Sequence, residues 1–130
     1  MNPVTGISLS GLNASTLRLQ ASANNIANVR SNGAGPVAAG QTAYTPLEVQ
    51  QTSLAGGGVE AALAPSARAA LLAYDPSAPF ANAQGYVATP DIDLADEMVQ
   101  LITARYSFAA NLQVLRTSDE MQDGVLRILI

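Results

Sequence analysis

The sequence predicts a mainly α protein: long N- and C-terminal helices paired as an antiparallel coiled-coil-like unit, with a small irregular β-containing middle segment. Three observations lead there. Apolar residues step by three and four from Ile7 to about Val29, and again from Asp91 to Ile130. The stretch between is rich in Gly, Pro, Thr, Gln and Ala and nearly free of charge. Within it, two short alternating runs flank the breaker Gly56-Gly57-Gly58. The chain therefore divides into 1–30, 31–90 and 91–130, with 30 and 90 as approximate boundaries.

In the first helix, Pro3 suits the first turn, and Thr5 or Ser8 is placed to cap it. Leu9, Leu12, Thr16, Leu19, Ala23 and Ile26 form one stripe. Ile7, Ala14, Leu17 and Ala21 form a second beside it. The helix is expected to stop near Asn28, with Ser31-Asn32-Gly33 as a left-handed exit. Asn24, Asn25 and Asn28 read locally as end-of-helix residues.

The middle offers alternation at Leu47, Val49 and Gln51, and again at Val59, Ala61 and Leu63 before Pro65. A hairpin across the three glycines is expected. Ser66 to Ala73 is ambiguous, since its alanines favour helix while Pro65 and Pro76 crowd it. Tyr74 to Pro79 reads as turns, and Gly85-Tyr86-Val87 as extended up to Pro90.

The C-terminal helix carries Leu94, Met98, Leu101, Phe108, Leu112 and Leu115 on one stripe, interrupted by Arg105. Val99, Ile102, Tyr106 and Ala109 form an adjacent stripe. Two stripes cover more surface than one partner helix buries, so one is assigned to the N-terminal helix and the other to neighbouring chains. Asp93 is expected to cap this helix, with Asp96 and Glu97 in its first turn favoured by the helix dipole. Arg105 has two readings. Its stem covers apolar surface, or its charge sets register against a neighbouring helix. Asn111 sits among small residues that permit close approach, and the apolar end from Val125 to Ile130 is expected to be buried in an assembly.

Composition narrows the function. The chain has 130 residues, a net charge of −4, no lysine, and six scattered arginines. Nucleic acid and anionic membranes call for clustered cations, so neither is expected as a partner. There is no cysteine or histidine, which removes disulfides, thiol chemistry and the usual zinc and iron sites. No catalytic, cofactor-binding or metal-binding residue is expected, and the chain is read as a non-enzyme. The N-terminus lacks a basic n-region and an uninterrupted apolar run, so no cleaved signal peptide and no membrane span are expected.

Asn24-Asn25-Ile26-Ala27-Asn28 after a leucine- and alanine-rich helix resembles the N-terminal signature of bacterial flagellar rod and hook proteins. Asp93-Leu94, Glu97-Met98-Val99, Ala104, Tyr106, Ala110-Asn111 and Met121 resemble their C-terminal signature. Tyr74-Asp75-Pro76 with Pro79, then Gly85-Tyr86-Val87 and Pro90, is most similar to the short proximal-rod branch of the basal-body rod family. The loop from Val29 to Gly35 and the region near Tyr44 depart from the pattern, as in a divergent paralogue.

The resemblance implies a structural subunit of the proximal rod, a tubular drive shaft in the periplasm that transmits torque. It also implies export through the flagellar type III apparatus. Expected partners are copies of itself, other flagellar rod proteins, MS-ring and rod-junction proteins, and the export apparatus. The residues expected to pack subunits are Leu9, Leu12, Leu19, Asn25, Ile26 and Asn28 on the first helix, with Met98, Leu101, Ile102, Arg105, Tyr106, Phe108, Asn111, Leu112 and Leu115 on the last. The competing reading is a soluble helical adaptor or chaperone-like protein of a secretion system, using the same C-terminal stripe.

Overall fold

A computed structural model of the chain describes residues 3–34, 42–68 and 70–128. Helix α1 spans Pro3–Ala27 and helix α2 spans Leu94–Ile128. Between them lie β1 (Leu47–Ser53), β2 (Val59–Pro65), β3 (Leu71–Tyr74) and β4 (Tyr86–Thr89). The protein is thus mainly α with a β-containing middle. At ~1.5 Å per residue, α1 is about 37 Å long and α2 about 52 Å. No helix among the described residues is long and apolar enough to cross a membrane.

The strands form two separate antiparallel pairs, β1 with β2 and β3 with β4. Leu47 faces Pro65 and Ser53 faces Val59, so the first hairpin turns across the glycine run as expected. The turn requires glycine: Gly57 and Gly58 sit at φ +86 and +88, where a side chain would be strained. This hairpin lies along α1. Ser10 Oγ accepts from Val59 N–H at 3.1 Å, the Arg18 guanidinium donates to Gln51, and Asn25 bonds Leu47. The second hairpin resolves the ambiguous stretch, because Leu71–Tyr74 pairs with Tyr86–Thr89 as a strand. It is tied to the loop after α1 by the bridge between Gly33 and Ala88.

Several local expectations are corrected. Helix α1 already begins at Pro3, so Thr5 and Ser8 lie within its turns and cannot be caps; Ser8 is buried on its side. The left-handed exit at Ser31-Asn32-Gly33 is absent, since the only positive-φ residues described are Gly57, Gly58 and Gly85. The chain leaves α1 through tight turns instead. Asn28 Nδ2 bonds Asn24 O, and Ser31 Oγ donates to Asn28 Oδ1. Backbone bonds close these turns, Asn28 N–H to Asn24 O and Ser31 N–H to Asn28 O among them, and the Asn28 and Ser31 side chains reinforce them. By contrast, Asp93 caps α2 as expected, accepting from Ala95 N–H at 2.8 Å and Asp96 N–H at 3.3 Å.

The apolar core is small and made of small side chains. Among the described residues its buried members are Ala14, Ala21, Ala34, Val87, Ala88 and Ala104, and Val87 is the one larger side chain fully buried. Alanine removes little area from water, so cohesion depends on close backbone approach.

Candidate assembly surface

Helices α1 and α2 run in opposite directions. Asn25 near the end of α1 meets Glu97 near the start of α2, while Gly11 meets Asn111. The same interval along each helix separates these contacts, so the two helices keep a common register. On α1 the buried serines Ser8, Ser15 and Ser22 recur one heptad apart. On α2, Glu97, Ala104, Asn111 and Ser118 recur at the same interval, and Ala104 and Ser118 are buried. The buried positions along the seam are therefore small or polar, and Leu12, Leu19, Leu101 and Leu115 are half-buried at its flanks.

Gly11 shows how close the approach is. A Cβ built there would lie 2.7 Å from both Asn111 amide atoms. Asn111 Nδ2 is held by Ser107 O at 2.9 Å. Glycine inside a helix ordinarily costs about 1 kcal/mol against alanine. Gly11→Ala is expected to bring no net gain, because the methyl displaces Asn111. In an Asn111→Ala background the same change should stabilise by about 1 kcal/mol. Urea denaturation of the four-member cycle reads the coupling, and equal effects in both backgrounds would refute the contact.

Asn25 closes one end of the seam. It is 2% exposed. Its Nδ2 donates to Leu47 O at 2.8 Å and to Glu97 Oε1 at 2.7 Å. Its Oδ1 accepts from Leu47 N–H at 2.8 Å and Tyr44 O–H at 3.0 Å. Both donors and both lone pairs of the amide are used, and the two Leu47 backbone bonds fix which atom is oxygen. One side chain thus joins α1, the lead-in to β1 and the first turn of α2. Burial first, and the Glu97 carboxylate second, push the Tyr44 phenol above its ordinary pKa. A raised acid is favourable while neutral, so this bond persists below the ordinary value of about 10 and is lost as pH rises through the shifted one.

Among the described residues, the opposite end of the seam is open. The two helices are nearly flush where Asn25 meets Glu97, and α2 is 35 residues long against 25 for α1. The surplus therefore projects past Pro3. There, Met121, Val125, Leu126 and Ile128 are exposed, Ile128 to 84%. Met121, Val125 and Leu126, with Val4, Val114 and Ala110, border an apolar groove of about 880 Å³ that continues the seam. The expected burial of Leu129 and Ile130 falls outside the described residues.

The remaining residues expected to pack subunits fall into three groups. Asn111 and Asn25 lie in the seam itself. Leu12, Leu19, Ile26, Asn28, Leu101 and Leu115 are half-buried along its flanks. Leu9, Met98, Ile102, Arg105, Tyr106, Phe108 and Leu112 are exposed. At ~100° per residue, Val99, Ile102 and Tyr106 lie on the side of α2 turned away from Ala104. Tyr106 is 72% exposed there. What the sequence missed was the role of Asn25 and of the serines. Polar residues at heptad spacing were the available signal.

Two bodies of comparison bear on this surface. Residues 83–128, which hold β4 and α2, match the family model described as flagellar basal body rod FlgEFG protein C-terminal. The chain is 34% identical to the flagellar basal-body rod protein FlgC of Salmonella typhimurium, over 86% of this chain and 85% of that one. The chain belongs to the FlgC family of flagellar basal-body rod proteins. Other FlgC relatives span it nearly end to end. That of Buchnera aphidicola is 32% identical over 91% of this chain and 90% of its own. That of Borreliella burgdorferi is 30% identical over 95% and 93%. Both helices and the β-containing middle of this rod-family chain thus have counterparts in proteins of similar length.

Proposed function

We propose that this chain is a structural subunit of the flagellar basal-body rod, and that its terminal helices act as an antiparallel coiled-coil-like unit that polymerises into the proximal rod. Membership of the FlgC family supports the first part. The observation that carries the second is the exposed apolar surface of α2, on its back face and on its overhang, beside a small-residue seam that is already filled. An apolar surface of that extent on a short chain marks an interaction site. A head-to-tail interface, in which one patch of a subunit meets a different patch of the next, propagates as an open helical array when its rotation does not close.

In this reading, Leu9, Met98, Ile102, Tyr106, Phe108 and Leu112 contact neighbouring subunits, while Asn25, Asn28 and Asn111 hold the unit in shape. Residues 31–90 form the segment outside the helical wall. The neighbours are copies of this chain, other rod proteins, and ring-junction proteins at the base. The subunit reaches the periplasm through the flagellar export apparatus and there transmits torque. Each subunit interface would bury on the order of 2,000 Å² or more, as permanent assemblies do. Isolation of basal bodies from cells carrying a tagged copy tests the reading. The chain should co-purify with the rod and remain after the hook and filament are removed. Its recovery only in the soluble fraction would overturn the proposal.

A further inference from the structure

We propose that the Asn32–Gly33 peptide is a covalent modification site gated by folding: it deamidates when the Gly33–Ala88 bridge is open and is protected when the bridge is closed. Asn32-Gly33 is the only Asn-Gly step in the sequence. The reaction needs no co-reactant but water. The Gly33 nitrogen attacks Asn32 Cγ and loses its proton, ammonia leaves, and a succinimide ring forms. Water then opens the ring at one carbonyl to give aspartate, or at the other to give isoaspartate. Glycine permits the attack because it carries no Cβ to hinder the ring closure.

The fold withholds the nucleophile. Gly33 N–H donates to Ala88 O at 2.9 Å, and Gly33 O accepts from Ala88 N–H at 2.9 Å. Ala88 and its neighbour Val87 are buried, so this strand does not shift freely. The preceding backbone is also fixed, with Asn32 N–H bonded to Arg30 O at 2.9 Å and Ser31 O accepting from Tyr44 N–H at 3.0 Å. Before it can attack, the Gly33 nitrogen must release Ala88 O and turn toward the Asn32 side chain. That requires local opening of the bridge.

The product does not fit the closed bridge. Isoaspartate routes the backbone through Cβ, adding a methylene beside Gly33, and leaves the former backbone carbonyl as a free carboxylate on Cα. The β3–β4 pair then loses its tie to the loop after α1. Modification in the unfolded chain would thus leave a lasting defect in the folded one.

The test incubates the full chain in mildly alkaline buffer, native in one arm and unfolded in urea in the other. Peptide mass mapping with an isoaspartate assay follows residue 32 in both. The native arm should be slower by at least about tenfold. A smaller ratio would overturn the proposal. A Val87→Ala variant, which loosens the buried strand beside the bridge, should raise the native rate toward the urea rate. An unchanged native rate in that variant would also count against the gating role of the bridge.

Discussion

Replacing Asn25 with leucine will destabilise the chain by about 4 kcal/mol, and replacing it with alanine by about 2–3 kcal/mol. Either change deprives Leu47 N–H, Leu47 O, the Tyr44 hydroxyl and Glu97 of their partner. A buried group left unpaired costs roughly 1–3 kcal/mol. The order of the two variants follows from the surroundings. A polar cleft of about 420 Å³ adjoins Asn25, Leu47 and Glu97. After truncation to alanine, water from that cleft can reach the orphaned groups. Leucine fills the space and excludes it.

The Asn25→Asp variant adds a pH signature. Its carboxylate would face Glu97 and the Leu47 carbonyl, where the native amide donates. Like charge and an opposed acceptor hold the new carboxyl's pKa above its ordinary value of about 3.9. A group with a raised folded pKa stabilises below its unfolded pKa and loses that contribution as pH rises through the folded one. The variant should therefore be more stable, relative to wild type, in acid than at neutral pH. Thermal unfolding across pH, followed by circular dichroism, measures this. A pH-independent difference would refute the contact with Glu97.

Tyr106→Asp and Ile102→Asp should leave the isolated chain within about 0.5 kcal/mol of wild type while abolishing its incorporation into basal bodies. Both positions are exposed, on the side of α2 away from the seam. A carboxylate there meets water in the monomer, and meets apolar surface only if a neighbouring subunit covers it. Leu112→Asp, nearer the seam, should block incorporation as well and also cost the monomer some stability. Denaturation midpoints and swarming assays in complemented cells separate the two effects. Normal motility with Tyr106→Asp would remove the back face of α2 from the interface.

Much of this protein was legible in one dimension. Apolar steps of three and four marked both helices, because a helix must turn its apolar residues to a common side. Asp93 declared the start of α2, since a capping carboxylate acts on backbone groups within a turn of itself. The hairpin across Gly56-Gly57-Gly58 was equally local, as φ near +86 at Gly57 is a matter for one residue.

Long-range choices were another matter. Periodicity locates an apolar stripe but not the element that covers it. The leucine stripes were natural candidates for the seam, yet Leu12, Leu19, Leu101 and Leu115 are half-buried at its flanks while Ser8, Ser15, Ser22, Gly11 and Ala104 lie along it, because small residues let the two backbones approach closely. Likewise Asn25, Asn24 and Asn28 look alike in sequence. Asn24 bonds back to Gln20 O and Asn28, just past the helix, to Asn24 O, while Asn25 reaches Leu47, Tyr44 and Glu97. The sequence by itself determined where the helices and the first hairpin lie, since those depend on neighbours within a few residues. Only the tertiary structure decided which faces meet and which stay open, since that depends on groups as far apart as Asn25 and Glu97 being brought within hydrogen-bond reach.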